Sequence, residues 1–400
     1  MQIEADWLTA AATQSVISAL EAVQPNGTRF VGGCIRNTIM GRPVDDIDLA
    51  SKLVPDQVSA ALENAGIRAI PTGVDHGTVT AVCDHQPFEI TTLRRDIETD
   101  GRRAVIAFST DWAEDAQRRD FRLNALYADR LGRVFDPIGE GISDARSGDV
   151  VFIGSPDQRL KEDYLRILRF FRFNAWYGQR LDPVGLAACE RQAAGLDRIA
   201  SERIWRELVK LYAAPAPDKV TYAMVEAGIL AQLLGDAILS PERIETLIAL
   251  ETALALEADP LQRLMALIPR EPEVIFAMAE RLRLSNRERD RLLAWVDPDL
   301  LDLGAQDDAT IKTGLYRFGA QAVLDRSLIA AIDHNQAPSQ TMLGLCKTWQ
   351  APDFPLGGAD ALAAGLKGPQ IGAALRRVEQ AWLDSGMALS RDALLQLLRA

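Results

Sequence analysis

The spacing of apolar and polar positions changes character once along the chain, near residue 140. Residues 6 to 24 read as a short amphipathic helix that stops at Pro25-Asn-Gly27. From 28 to about 138 the pattern is mixed. Alternation in Thr78-Val-Thr-Ala-Val82 and in Phe88-Glu-Ile-Thr-Thr-Leu93 predicts adjacent antiparallel strands. Pro55 to Asn64, closed by Gly66, has helical spacing, and 120 to 137 holds a further helix or strand closed by Asp136-Pro137. After about 140 strand signals nearly vanish. Helical periodicity then dominates, broken at Gly178, Ala213-Ala-Pro-Ala-Pro217, Asp259-Pro260, Asp297-Pro298 and Ala351-Pro-Asp-Phe-Pro355. The expected class is α+β: an N-terminal α/β head with a small, mainly antiparallel sheet, then a long all-helical body.

Within the head, the stretch from Arg29 to Leu49 carries the most chemistry. A strand leads to Gly32-Gly33, a helix opens with Arg36, a turn follows at Gly41-Arg-Pro43, and Asp46-Ile-Asp48-Leu49 reads as a second strand. On a strand both aspartates project from one side and Ile47 and Leu49 from the other. Carboxylates held that close repel unless a cation sits between them. Hard oxygen ligands at this spacing suit Mg²⁺, which keeps several waters and completes its shell with phosphates. Gly32 and Gly33 let the backbone approach a polyanion, and Arg36 has the fork geometry to clamp it. Each piece alone is an ordinary turn or surface motif; their order points to a metal-bound nucleoside triphosphate. A dinucleotide fingerprint is a poorer match, because the G-x-G-x-x-G spacing is missing.

Composition narrows the setting. At 400 residues the chain is long enough for two or three domains. The 4 cysteines, Cys34, Cys83, Cys189 and Cys346, are far apart without C-x-x-C pairing, which fits free thiols in a reducing cytoplasm. The first residues are acidic where a signal peptide is basic and then apolar, and no apolar run reaches the ~20 residues of a membrane span. With 3 histidines a histidine-rich hydrolase site is excluded. A net charge of −12 argues against indiscriminate nucleic-acid adhesion. Arginines nevertheless concentrate at 94, 95, 102, 103, 118, 119 and 122, and again from 159 to 180, consistent with a basic channel on an acidic body.

Two further clusters stand out. In Arg118-Arg119-Asp120-Phe121-Arg122-Leu123-Asn124-Ala125, an arginine is suited to stabilise charge on a transferring phosphate, with Asp120 orienting it; a surface Arg–Asp cluster is the plainer alternative. In Glu162-Asp163-Tyr-Leu-Arg166-Ile-Leu-Arg169-Phe-Phe-Arg172, read as one helix, Tyr164, Ile167, Leu168 and Phe171 share a face while Asp163, Arg166, Arg169 and Arg172 wind around the other. Cytosine and adenine both present an amino donor beside a ring-nitrogen acceptor. A carboxylate and a guanidinium three residues apart would accept that pattern and reject uracil and guanine; a solvated helix face with an i,i+3 ion pair is the plainer alternative. A wrong base leaves a buried partner unpaired at a cost on the order of 1–3 kcal/mol.

In order, Gly32-Gly-Cys-Ile-Arg36 with Asp46-Ile-Asp48, then Arg118-Arg-Asp-Phe121 with Asn124-Ala125, Asp136-Pro-Ile-Gly139, Glu162-Asp-Tyr-Leu-Arg-Ile-Leu-Arg169 and Ser201-Glu-Arg-Ile-Trp-Arg-Glu-Leu208 resemble the motifs of the bacterial-type (class II) tRNA nucleotidyltransferases, the CCA-adding enzymes, and their relatives the bacterial poly(A) polymerases. The resemblance covers roughly residues 28 to 210. It implies a catalytic head at 1–140, a base-recognition region at 141–210 and a tRNA-binding helical body at 211–400. Asp46 and Asp48 would hold the catalytic Mg²⁺ ions, with Glu89 as a third carboxylate. Gly32, Gly33, Arg36 and Arg119 would contact the triphosphate. Asp163 and Arg166 would read the base, with Arg169 and Arg172 in nucleotide contacts.

The implied reaction is template-free, two-metal transfer of C, C and A from CTP and ATP to the tRNA 3′ acceptor end, in the cytoplasm, with neither DNA nor a membrane as partner. Within the family, poly(A) synthesis and partial addition are the alternatives. The stretch from Arg95 to Arg103 resembles the flexible loop of complete CCA enzymes, and the acidic chain lacks the basic C-terminal extension usual in poly(A) polymerases. His76-Gly77-Thr78 resembles a family element as well. Asn37 stands where the family usually has Asp, and Arg122 where it has Thr or Ser.

Overall fold

The computed structural model describes residues 1–400 except 74–76, 100–103, 236–237 and 400. It divides the chain into two compact units, Met1–Asp236 and Ala237–Ala400. The boundaries expected at 140 and 210 both fall inside the first unit.

The first unit opens with helices α1 (Asp6–Thr9) and α2 (Ala11–Val23). The single helix expected over 6 to 24 is thus broken, at Ala10, whose extended backbone (φ −58°, ψ 138°) ends one helix and opens the next. Then follow β1 (Thr28–Val31), α3 (Gly33–Ile39), β2 (Asp48–Ser51) and α4 (Pro55–Asn64). Strands β3 (Arg68–Gly73), β4 (Thr78–Cys83), β5 (Gln86–Thr92), β6 (Arg94–Thr99) and β7 (Ala104–Phe108) precede α5 (Trp112–Gln117). The uncertain stretch 120–137 resolves into a 3₁₀ turn at Arg122–Asn124 and two short strands, β8 (Tyr127–Ala128) and β9 (Val134–Phe135).

Seven strands form one sheet in the order β3-β4-β5-β2-β1-β8-β9; β6 and β7 pair separately. Within the seven, only β2 and β5 run parallel, so the sheet is mainly antiparallel as expected. One face is apolar: Phe30, Leu49, Val79, Ala81, Phe88 and Ile90 are buried, and α2 and α4 pack on that side. On the opposite face α5 covers Val31, Ala50 and Tyr127 with Trp112 and Ala116. The carboxylate-bearing rows of β2 and β5 share this second face.

Helices alone continue the first unit: α6 (Gly141–Ser147), α7 (Pro156–Glu162), α8 (Leu165–Tyr177), α9 (Pro183–Gln192), α10 (Ser201–Tyr212), α11 (Asp218–Glu226) and α12 (Ile229–Leu234). Phe121, Phe152, Phe170 and Phe173 interlock where α8 meets the head, with ring centroids 4.9 to 6.4 Å apart. The helix expected over 162–172 is interrupted. Asp163 is extended (φ −155°, ψ 105°), and its Oδ1 accepts from the Leu165 amide at 3.1 Å, the local side-chain bond by which Asp diverts a helix into a turn.

The second unit is helical throughout its described residues. Its longest element, the helix Asp308–His334, is two helices joined across Gly319 (φ 78°). Trp382 packs edge-on against Tyr316 and tilted against Phe354, with ring centroids at 5.4 and 5.5 Å. Arg263 and Glu251 form a buried ion pair at 2.6 Å. Among the described residues no helix is long and apolar enough to cross a membrane.

Candidate active site

Strand β2 begins at Asp48, so Asp46 lies just ahead of the strand and not within it. The alternation still holds: Ile47 and Leu49 are buried, while Asp46 is exposed and Asp48 half-buried. Parallel pairing sets Asp48 opposite Glu89 of β5, and antiparallel pairing sets Thr80 opposite Glu89. Asp48, Glu89 and Thr80 therefore form one row across the sheet. Burial, then the Glu89 and Asp46 charges, push the Asp48 carboxyl up to about 6, with Arg119 pulling the other way. Among the described residues no group of three or more His, Cys, Asp or Glu side chains forms a complete metal cage. The partial set fits a hard divalent cation all the same. Its acids are short of positive charge, and a Mg²⁺ site needs only one or two carboxylates plus water and phosphate.

The Gly32-Gly33 turn sits beside this row at the head of α3. Gly32 has φ 73°, and a Cβ there would lie 3.6 Å from the Asn124 carbonyl and 3.8 Å from Arg119 Nη1. A Cβ on Gly33 would meet Arg36 Nη2 at 3.8 Å. Both predicted arginines thus flank the turn. Their situations differ. Arg119 is anchored from behind: Nη2 donates to Asp115 Oδ2 at 3.1 Å and Nε to Tyr127 Oη at 3.2 Å. Arg36 is 6% exposed and donates to Asn124 Oδ1 (2.5 Å), Asn37 Oδ1 (2.8 Å) and Tyr177 Oη (2.8 Å), with Nε also on Asn37. Four of its five N–H groups are spent inside the protein, leaving one for a ligand. Asn37 replaces the usual acid without losing that contact, and its amide donates to the Pro43 carbonyl at 2.7 Å.

Asp115 was not among the expected residues, though its spacing of three and four from Arg118 and Arg119 is the signal that finds it. It is 1% exposed and accepts from Arg118 Nε at 2.8 Å and Tyr127 Oη at 2.7 Å. Burial favours its neutral form, yet Arg119, Arg118 and these hydrogen bonds hold its carboxyl down to about 2. Asp120, expected to orient an arginine of its own cluster, instead holds Arg169 of α8 through Nε at 2.8 Å and through Nη2. Against the cost of burial, Arg169 holds the Asp120 carboxyl to about 2 as well. Arg122, where the family has a small hydroxyl, bridges to Asp144 at 2.7 Å and to Glu140, pinning the 3₁₀ turn to α6.

The base-reading candidates are held apart from each other. Asp163 Oδ2 accepts from Arg203 Nη2 at 2.8 Å. Arg166 Nη1 donates to Glu162 Oε2 at 2.5 Å and to the Arg159 carbonyl at 2.8 Å, and Nη2 to the Arg118 carbonyl at 3.2 Å. Its Nε–H and one Nη2–H remain, a two-hydrogen edge. Arg172 pairs with Glu207 at 2.7 Å. Helix α10, which carries the fifth motif, thus supplies two supporting partners, Arg203 and Glu207, that no local spacing reveals. His76 and residues 100–103 lie outside the described residues.

A model of the poly A polymerase head domain matches residues 28–151, and a model of the probable RNA and SrmB-binding site of polymerase A matches 180–244. The mitochondrial CCA tRNA nucleotidyltransferase 1 of Danio rerio is 31% identical over all of this chain and 93% of its own length. Its Homo sapiens counterpart is 31% identical over 93% of this chain and 86% of its own. In fold, the chain resembles the Bacillus stearothermophilus CCA-adding enzyme solved with CTP, with a TM-score of 0.76 at 24% identity, covering 97% of each chain. The head and its acidic row are those of a nucleotidyltransferase, and the chain belongs to the CCA tRNA nucleotidyltransferase family.

Proposed function

We propose that this protein builds the CCA end of tRNA, transferring C, C and then A from CTP and ATP to the 3′ acceptor end without a template strand. The observation that carries the reading is the row in which Asp48 faces Glu89 across parallel strands, with Asp46 just ahead and the Gly32-Gly33 turn beside it. The oxygen of the RNA 3′-hydroxyl bonds to the nucleotide's α-phosphorus. The bond from that phosphorus to the bridging oxygen breaks, and pyrophosphate departs with its electron pair. The hydroxyl proton passes to water beside the exposed Glu89 carboxylate. Asp46 and Asp48 would hold Mg²⁺, which would supply neutralising charge and a lowered hydroxyl pKa.

The chain's own residues position the reactants. Arg119, fixed by Asp115 and Tyr127, faces the triphosphate at the glycine turn, where Gly32 and Gly33 keep side-chain bulk away. Arg36 adds its single remaining N–H. Asp163 accepts from the exocyclic amine of cytosine or adenine, and Arg166 offers its Nε/Nη2 edge to the ring nitrogen. Arg169 and Arg172 line the same helix, fixed by Asp120 and Glu207, and offer the nucleotide the N–H groups those pairs leave over. Residues 141–210 act as the base-recognition region and 211–400 as the tRNA-holding body. Four free cysteines support a reducing compartment, here the cytoplasm. The test is incubation with tRNA ending at the discriminator base, Mg²⁺ and each labelled nucleotide singly and together. Addition of C, C and A followed by a stop is expected; a long A tract or a halt at CC would replace this reading by poly(A) synthesis or partial addition.

A further inference from the structure

One buried polar side chain between the glycine turn and α8 has no task in the proposed mechanism. Asn124 is 8% exposed and sits at the end of the 3₁₀ turn that Arg122 pins to α6. Its Oδ1 accepts from Arg36 Nη1 at 2.5 Å, and its Nδ2 donates to Asp120 Oδ1 at 3.2 Å. Asp120 in turn receives Arg169 of α8, while Arg36 donates to Tyr177 at the far end of α8. The result is a closed ring of side chains: α3 through Arg36, then Asn124, Asp120 and Arg169, then α8 and back through Tyr177.

We infer that Asn124 is the positioning residue that couples the triphosphate turn to the base-reading helix. An amide is the side chain this place requires. Its oxygen must face a cation and its nitrogen an anion, so only one orientation satisfies both neighbours. A carboxylate would meet Asp120 with like charge, and an apolar side chain would take one hydrogen bond from a buried guanidinium and one from a buried carboxylate together. When a matching base engages α8, Arg169 and Tyr177 carry that fit through Asn124 to Arg36, beside Gly33. A nucleotide that fails to seat on α8 leaves Arg36 less well aimed. Discrimination is then expressed at the phosphates as well as at the base.

This inference rests on the proposed reaction, and its test separates the two. In Asn124→Leu, KM for CTP and ATP rises about tenfold and preference for CTP over UTP falls about tenfold, a loss of one charge-assisted hydrogen bond, while KM for tRNA is unchanged. Asn124→Asp keeps the acceptor for Arg36 but cannot donate to Asp120. Two facing carboxylates share a proton once pH falls far enough, which restores the missing donor. The groups around this position are Asp120 just ahead of the 3₁₀ turn, Arg36 from α3, and Arg169 and Tyr177 from α8; Arg172 of α8 and Glu207 of α10 act on it through Arg36, Asp120 and Arg169. Measured as a ratio to the unmodified protein at each pH, Asn124→Asp should match Asn124→Leu at pH 8 and recover toward pH 6. Wild-type KM and selectivity in both variants, or an Asn124→Asp loss that does not reverse with pH, would overturn the coupling. Should Asn124→Leu fail to fold, the pH reversal alone decides. If the unmodified protein adds neither C nor A to tRNA, it is the reading of the reaction that fails.

Discussion

Two groups of aspartates near the glycine turn are treated in opposite ways. Asp115 and Asp120 are buried, met by guanidinium groups, and held down to about 2. Asp48 is less buried, faces Glu89 and Asp46, and is pushed up to about 6. The first group spends its charge inside the protein, aiming Arg118, Arg119 and Arg169. The second keeps its charge uncompensated on an open sheet face, and that is where a cation from solvent has something to gain. In the proposed mechanism the buried Asp115 and Asp120 pairs support the site, and the acids left without a paired cation are where the metal would bind.

The sharpest way to break this contrast is to remove an acid from each group. Asp46→Ala should cut C incorporation about 10³-fold or more, several kcal/mol of charge stabilisation, while filter-binding affinity for tRNA stays at the wild-type value. Asp115→Ala should be milder in turnover and harsher on the fold. Breaking a buried pair costs about 3–5 kcal/mol, read by chemical denaturation, and freed Arg119 should raise KM for CTP between about 10- and 100-fold. Next comes Arg166→Ala, which should reduce discrimination against UTP and GTP about 10-fold in single-nucleotide assays; unchanged selectivity would remove Arg166 from base reading.

The smallest effect is on stability against pH, and its sign differs between the groups. Asp115 and Asp120 have folded values below the unfolded range, so their contribution is present above about pH 4 and lost as pH falls toward 2. Asp48 has a raised folded value, so its contribution is present below about pH 4 and lost as pH rises through 6. Acid denaturation of Asp115→Asn should therefore show a flatter fall below pH 4 than the unmodified protein.

Much of the head is legible along the chain because its signals are local. Pro55 opens and Gly66 follows α4, the threonine alternation marks β4, and Gly32-Gly33 marks the turn into α3. The interrupted elements were less legible. Ala10 breaks a helix that its own propensity favours, and Asp163 leaves a helical pattern because its side chain bonds the Leu165 amide. Strand β2 starts at Asp48 and not at Asp46, although the burial alternation that motivated the strand holds on both sides of that boundary. The supporting residues were least visible. Asp163 finds Arg203 and Arg172 finds Glu207 across 40 and 35 positions, and the Arg36–Asn124 bond spans 88. No periodicity reaches that far; only the packing of α10 on α8 and of α3 on the 3₁₀ turn brings them together.

One variant bears on all of this at once. Asp48→Asn removes the uncompensated charge while keeping shape, so at pH 7.5 it should melt a few degrees above the unmodified protein, about 1 kcal/mol, bind tRNA normally and incorporate no C. A protein that is destabilised by the change, or that still extends tRNA at a rate within tenfold of the original, would contradict the view that Asp48 is held in wait for a metal.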